Sequence, residues 1–135
     1  MQNALIRVVL TGIALLSIAL PAWAEGVVAR AQFSTDVVDR EPVDNVGPVV
    51  NVEYGEIQRV YFFTDLRDME GSQAIHRWKL DGELQADVAF DIGGDRWRVW
   101  SSKRLMPGFD GTWSVDVVQD GEVIATHSFD YVDSE

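Results

Sequence analysis

The sequence predicts an all-β fold: an antiparallel two-sheet sandwich, immunoglobulin-like, with about seven strands. Three observations predict it. After residue 24, apolar residues come in short runs separated by Gly, Asp and Pro, and none of these runs has sustained helical periodicity. Trp78 falls on the inner face of the third clear strand, as the buried tryptophan of an immunoglobulin-type sandwich does. The chain has no cysteine, so packing of the two sheets must supply the stability without a disulfide.

The first 24 residues have the pattern of a secretory signal peptide. Arg7 precedes an apolar run from Val8 to Leu20, and Ala22 and Ala24 form the small-x-small pattern that precedes cleavage. The run is shorter than the ~18 to 20 residues that a membrane span needs. We therefore expect cleavage after Ala24, a single β-sandwich domain over 25–135, no stable membrane insertion after cleavage, and a periplasmic or secreted location.

The charge of the predicted mature chain excludes one class of partner. Residues 25–135 contain ten basic and 22 acidic side chains, which is a formal charge of −12. Nonspecific nucleic-acid binding needs a basic surface, so no nucleic-acid partner is expected. Such acidity favours solubility and says little about the fold.

The predicted strands are short and separated by turn residues. They lie near residues 27–35, 57–64, 73–80, 84–91, 95–102, 112–118 and 123–132. A long connection joins the first two, and Val49–Val52 within it is a candidate edge strand.

Three turns predict a register for the hairpins. Gly93-Gly94 suits a two-residue hairpin turn, and the extra residue needed around Gly82 and Gly121 suits three-residue loops with a left-handed glycine. The expected cross-strand pairs are Phe90 with Trp97, Val88 with Val99, Asp91 with Arg96, Leu80 with Leu84, Trp78 with Ala86, His76 with Val88, Trp113 with His127, Val115 with Ala125, and Val117 with Val123.

These registers divide residues 73–102 into two faces. The expected inner face carries His76, Trp78, Leu80, Leu84, Ala86, Val88, Phe90, Trp97 and Val99. The expected outer face carries Arg77, Lys79, Gln85, Asp87, Asp91, Arg96, Arg98 and Trp100. Trp97 is thus assigned to the core and Trp100 to the surface.

The outer face supplies the candidate binding residues. Six of the ten basic residues of the mature chain lie between 77 and 104, beside only five acids. An arginine-and-tryptophan platform there could bind a sugar, a peptide or an anionic polymer. The alternative is that these charges pair across strands, where each exposed pair contributes only ~0.2–1 kcal/mol. The candidate binding residues are Arg77, Arg96, Arg98, Trp100 and Lys103.

Catalytic and metal chemistry has no clear constellation in the sequence. A cysteine nucleophile is impossible, and the two candidate imidazole bases, His76 and His127, both fall on predicted inward faces. No catalytic residue, cofactor or metal site is therefore assigned. The acidic stretch from Asp65 to Glu70 leaves two alternatives open, a glycosidase carboxylate pair and a calcium loop.

Five stretches of the chain, in order, resemble one bacterial family. They are VARAQFSTDVVDREPVDNV (28–46), RVYFFTDLRDMEG (59–71), HRWKLDG (76–82), GGDRWRVWSSK (93–103) and GTWSVDV (111–117). Together they resemble the family catalogued as Domain of Unknown Function 2914. The resemblance implies a compact β-domain found in exported or membrane-attached proteins. It implies no reaction and no catalytic residue.

We therefore expect an exported, non-catalytic binding or accessory domain, with an envelope polysaccharide or a partner protein as its ligand. The alternatives are a small glycan-directed hydrolase that uses a carboxylate pair, and a purely structural domain.

Overall fold

The computed structural model describes residues 25–53 and 58–134, and the predicted signal peptide lies outside these residues. The described part of the chain forms ten strands and contains no helix. In chain order these are β1 (Val27–Ser34), β2 (Val37–Val38), β3 (Glu41–Pro42), β4 (Val49–Glu53), β5 (Gln58–Arg67), β6 (Gln73–Leu80), β7 (Glu83–Asp91), β8 (Arg96–Leu105), β9 (Gly111–Gln119) and β10 (Glu122–Ser134).

The all-β prediction is confirmed, but the strand and sheet counts were too low. The strands form a three-stranded sheet in the order β1-β5-β8, a five-stranded sheet in the order β4-β10-β9-β6-β7, and a small β2–β3 hairpin. Each of the seven predicted strands corresponds to a strand of the structure. The three additional strands all lie in the connection between β1 and β5. Strands β2 and β3 have only two residues each, too few to show an alternating pattern.

One pairing departs from the antiparallel expectation. Strand β4, the candidate edge strand, runs parallel to the end of β10, with Val49 beside Asp130 and Val50 beside Tyr131. The Asp130 amide donates to the Pro48 carbonyl at 2.8 Å, just before β4 begins. This pairing makes β4 the short edge strand of the five-stranded sheet.

The predicted hairpin at residues 92–95 is wrong. Strand β7 pairs with β6 at the edge of the five-stranded sheet, whereas β8 pairs with β5 in the three-stranded sheet. Residues 92–95 therefore cross from one sheet to the other. Gly93 provides space for the Trp97 ring here, because a Cβ built on Gly93 would lie 2.9 Å from Cη2 of Trp97.

The hairpin between β6 and β7 keeps the predicted faces at its centre only. Its loop has two residues, Asp81 and Gly82, both with positive φ. The extra residue lies within β7, where the register shifts between Trp78 and Lys79. Trp78 thus pairs with Ala86 and His76 with Val88, as predicted, but Leu84 pairs with Lys79 and is 59% exposed.

The hairpin between β9 and β10 is built in the same way. A two-residue turn at Asp120-Gly121 is followed by a register shift between Val123 and Ala125. The predicted pairs were wrong by two residues, since Val115 pairs with His127 and Val117 with Ala125. A two-residue displacement leaves the side chains beyond the register shift on their predicted faces, whereas Val123, before the shift, pairs with Val118 and is exposed.

The core lies between the three-stranded and five-stranded sheets. The largest fully buried apolar side chains of this core are Trp78, Trp113, Tyr131, Phe62, Phe129, Leu66, Met69 and Leu105. Trp78 therefore occupies the predicted core position. Trp97 and His127 were also predicted to be buried, but both are exposed. Trp97 lies at the start of β8 against Gly93, and His127 lines an opening between β1 and β10.

None of the described residues forms a helix that is long and apolar enough to cross a membrane.

Candidate functional site

The outer face of the three-stranded sheet carries a dense group of arginines. Residues paired directly across antiparallel strands project to the same face, and the β1-β5-β8 register aligns Arg30, Asp65 and Arg98 in one row. Arg67 lies beside Arg96 in the next row, and Arg59 lies beside Arg104 at the other end. We call the following residues the arginine face: Arg30, Arg59, Arg67, Arg96, Arg98 and Arg104.

The arginine face concentrates positive charge on an acidic molecule. It contains six of the ten basic residues of segment 25–135, which has a formal charge of −12. Among the described residues, Asp65 and Glu41 are the carboxylates that form ion pairs with it. The local field is therefore opposite in sign to the field expected from the net charge.

Asp65 forms the centre of the arginine face. It is fully buried, although it belongs to the outer side of β5. Arg67 donates from Nε to Oδ1 at 2.9 Å and from Nη2 to Oδ2 at 3.1 Å, and Nη2 of Arg96 lies 3.5 Å from Oδ2. The hydrogen bonds from Arg67 hold the pKa of Asp65 below its usual value, against the effect of burial. This carboxylate is therefore charged and fixes two of the guanidinium groups.

A second carboxylate reaches the arginine face from the β2–β3 hairpin. Oε1 of Glu41 accepts from Nη1 of Arg98 at 2.7 Å, and Oε2 accepts from Nη1 of Arg30 at 2.9 Å. These contacts lower the pKa of Glu41, the hydrogen bond from Arg30 most of all. Glu41 remains 45% exposed, so its carboxylate bridges β1 and β8 at the surface.

Aromatic rings lie among the arginines. Cζ of Arg30 is 5.1 Å from the ring centroid of Phe63, which is fully buried beneath it. Trp100 pairs with Phe63 across the sheet and is 36% exposed. A partly exposed indole beside guanidinium forks offers stacking surface together with bidentate donors for carboxylates.

The structure brings together three of the five predicted binding residues. Arg96, Arg98 and Trp100 lie in line on the outer side of β8. Arg77 lies on the other sheet, where its Nε and Nη2 donate to Asp87 at 3.0 Å and 3.2 Å. Lys103 is half-buried on the opposite side of β8 from Trp100. The prediction placed Arg77 with Arg98 because it paired β7 with β8, which belong to different sheets.

The residues that the sequence interpretation missed come from β1, β3 and β5. Asp65 and Arg67 are two apart on a strand, a spacing that places them on one face. That signal was readable from the sequence. The neighbouring positions of Arg30 and Glu41 were not, because they depend on pairings between distant parts of the chain.

The two histidines differ in environment. His76 is fully buried, as predicted, with Nε2 2.9 Å from Oγ1 of Thr64 and Nδ1 2.7 Å from Oγ of Ser101. Burial lowers the pKa of His76 to about 3, so the ring is neutral. His127 is exposed, contrary to the prediction, and lies at the opening between β1 and β10 near Ala31.

The Ser101–His76 contact resembles a nucleophile–base pair in distance only. A catalytic triad orients its histidine with a carboxylate, whereas the other ring nitrogen of His76 contacts Thr64. Ser101 is 7% exposed and also accepts a hydrogen bond from Nε1 of Trp78 at 3.0 Å. These contacts join β6 of one sheet to β5 and β8 of the other, which is a structural role.

The acidic stretch that begins at Asp65 is divided between two environments. Asp65 belongs to the arginine face, while Asp68 and Glu70 line an open groove together with Glu25, Asp120 and Glu122. Within residues 25–53 and 58–134, no group of three or more His, Cys, Asp or Glu side chains is arranged to hold a metal ion.

The fold and the arginine face define an immunoglobulin-like β-sandwich with one basic side. The chain is similar to an immunoglobulin-like protein from Pseudomonas aeruginosa, at 13% identity over 82% of this chain and 99% of that one, with a TM-score of 0.51. A CARDB domain from Pyrococcus furiosus is also similar, at 12% identity over 77% of this chain and 94% of that one, with a TM-score of 0.47. At such identities the likeness concerns the fold alone.

Residues 72–131 match the model of the family described as protein of unknown function (DUF2914). This confirms the resemblance over β6 to β9 and most of β10. The similar stretches at 28–46 and 59–71 lie outside the match. No protein among those with curated descriptions matches the chain.

Proposed function

We propose that the protein is an exported, non-catalytic binding module whose arginine face holds a carboxylate-bearing partner in the cell envelope. The observation that carries the proposal is the collection of six arginines on one sheet face of a strongly acidic chain. If these arginines served only structural ion pairs, we would expect them to be distributed over the surface near the 22 acidic residues, and not collected on one face.

The contacts of Glu41 support the choice of a carboxylate ligand. One carboxylate is held between two guanidinium groups at 2.7 Å and 2.9 Å, at a surface position where a partner's carboxylate could make the same contacts. Arginine forks match the planar geometry of carboxylates and bind them with two parallel hydrogen bonds. The arginine face thus already holds, within the molecule, the chemical group that we propose it binds.

The asymmetry of charge supports oriented docking. A polyanion is repelled by most of the acidic surface and attracted by the arginine face, so that electrostatic steering favours one orientation. Exposed charges are screened within ~8 Å at physiological ionic strength, so this binding should weaken as salt is added.

Arg96→Gln tests the proposed function against a matched control. The Arg96 side chain is 55% exposed, and Arg67 still holds Asp65 when Arg96 is changed. We expect affinity for poly-L-glutamate and polygalacturonate to fall about tenfold, the scale of one charge-assisted hydrogen bond. Titration calorimetry at low and moderate salt measures the change.

The control is Arg77→Gln, which removes the same charge from the other sheet and should leave affinity unchanged. Equal weakening by both variants would show that only net charge matters and would refute the proposed site. A purely structural role for Arg96 would instead lower the free energy of unfolding and leave the affinity as it was.

Export is proposed from the pattern of residues 1–24. We expect the protein recovered from the periplasmic or extracellular fraction to have the intact mass of residues 25–135, because Ala22 and Ala24 provide the cleavage pattern. Recovery of the full-length chain from the cytoplasm alone would contradict export.

The binding function is favoured over hydrolysis by the nature of the acidic groove. Glu25, Asp68, Glu70, Asp120 and Glu122 line it, and all five residues are exposed to water. A glycosidase keeps its general acid protonated by burying it. An arrangement of exposed carboxylates therefore supports solvation more than catalysis.

A further inference from the structure

Strand β8 is a long, regular edge. The edge strands of the three-stranded and five-stranded sheets are β1, β8, β4 and β7. Strand β1 has a register shift at Ala29, β7 has one at Gln85, and β4 has only five residues. Strand β8 pairs all ten of its residues with β5 without a shift.

The free side of β8 offers unpaired backbone groups to another strand. Within the described part of the chain, β8 pairs with β5 and with no other strand. A row of unpaired amide and carbonyl groups on a regular edge is the template that strand addition uses. Bulges and short length, which block pairing at the other three edges, do not protect this one.

The side chains of β8 indicate which strand could be added. Arg96, Arg98, Trp100, Ser102 and Arg104 project from its outer side, about 6.6 Å apart along the strand. Directly opposite positions of an added strand would carry the matching side chains. Acidic residues at alternate positions would lie against arginines at both ends of β8.

We propose that the free edge of β8 accepts an extended segment of a partner protein with Asp or Glu at alternate positions, which becomes the fourth strand of the β1-β5-β8 sheet. This inference rests on the proposed function, that the arginine face binds carboxylates. It adds that the ligand is a polypeptide strand. Main-chain hydrogen bonds supply affinity, and the acidic side chains set the register.

The same arginines exclude other occupants. Charged edge residues prevent indiscriminate pairing, and two β8 strands placed side by side would bring arginine rows together. Strand β7 of a second copy is acidic, but the extra residue Gln85 interrupts it and its Asp87 is held by Arg77. An unbulged acidic segment of a different protein fits the edge better.

The test uses a parent peptide, two N-methylated analogues of it, and the full domain, residues 25–135. The parent peptide alternates Glu and Thr over ten residues. One analogue is N-methylated at every Glu and the other at every Thr. Because alternate amides of an added strand point toward its neighbour, one analogue should lose binding and the other should keep it. Hydrogen exchange of the labelled protein should slow at alternate amides of β8 alone.

Charge variants and a second probe separate this inference from the proposed function. Arg104→Glu should weaken peptide binding by at least about tenfold, the scale of one charge-assisted contact, and Arg77→Glu should not. If both methylated peptides bind as the parent does, or β8 amides are not protected, strand addition is overturned. Binding of polygalacturonate that depends on Arg96 would then leave the proposed function standing.

Two further outcomes overturn the inference. Failure of every probe to bind would refute the strand site and the proposed function together. Protection of β8 amides without peptide, in a protein that elutes as a dimer, would show that a second copy occupies the edge.

Discussion

At the scale of single residues, His76 joins the two sheets across the core where the chain has no cysteine. The Thr64 hydroxyl donates to the Val99 carbonyl at 3.3 Å, so it accepts from Nε2–H of His76. Ser101 accepts from the Trp78 indole and donates to Nδ1. Each polar atom of this cluster is satisfied when the ring is neutral, and a second ring proton would place a positive charge in the buried core.

This neutral ring predicts a specific dependence of stability on pH. Burial lowers the pKa of His76 from 6.5 to about 3, so the unfolded chain binds a proton below pH 6.5 that the native protein does not. Stability is therefore complete above pH 6.5 and falls as the pH drops toward 3, by about 1.4 kcal/mol per pH unit. Urea unfolding at pH 7, 6 and 5 measures the slope above the range in which carboxylates titrate.

His76→Gln should be less stable than the parent but nearly independent of pH between 7 and 5. His127→Gln is the matched control and should keep the parent's slope, because His127 is exposed. A parent protein that is as stable at pH 5 as at pH 7 would show that His76 does not stay neutral in the folded state.

At the scale of elements, the strands could be predicted because alternation is a local property. The seven segments identified from apolar runs all became strands, with bounds close to those expected. Their partners could not be predicted in the same way. Phe90 opposite Trp97 and Phe63 opposite Trp100 are both good aromatic pairs, and only the second exists. Gly93-Gly94 added to the error, since the pair is typical of a tight turn, whereas Gly93 makes room for the Trp97 ring.

The register shifts explain which inward positions were misassigned. In the β6–β7 hairpin, a two-residue turn followed by an extra residue gives the same central register as the predicted longer loop. In the β9–β10 hairpin the central register differs by two residues, which keeps the same faces. Beside the two turns the faces differ from the prediction, and Leu84 and Val123 are 59% and 50% exposed. The alternation therefore held along the strand centres and failed at the ends.

The candidate site shows the same division between local and distant information. Arg96, Arg98 and Trp100 share one strand, and their common face followed from their spacing. Arg30 and Arg67 joined them only through the β1-β5-β8 order, which the sequence does not encode in any short stretch. Arg77 was misplaced for the same reason.

At the scale of the whole molecule, the two sheets depend on each other. Phe62 and Leu66 of the three-stranded sheet and Trp113 and Val115 of the five-stranded sheet are fully buried. Exposing one inner face exposes the other, at about 25 cal/mol for each Å² of apolar surface. A domain of this size, with one core between two sheets, should therefore unfold as a single unit.

Ser101→Ala tests this unity, because Ser101 lies in the three-stranded sheet and its two partners, His76 and Trp78, lie in the five-stranded sheet. The change leaves a ring nitrogen and an indole N–H buried without a partner, at about 1–3 kcal/mol for each group. Hydrogen exchange should show that the free energy of opening falls by the same amount for the slowest amides of β5 and of β9.

Ser102→Ala is the control, because Ser102 lies on the outer side of β8, where it accepts a hydrogen bond from Arg59. It should change the free energy of opening of β5 and of β9 by less than about 1 kcal/mol. A loss of protection confined to β5 and β8 would mean that the three-stranded sheet opens separately, and the inter-sheet hydrogen bonds would then not hold the molecule as one unit.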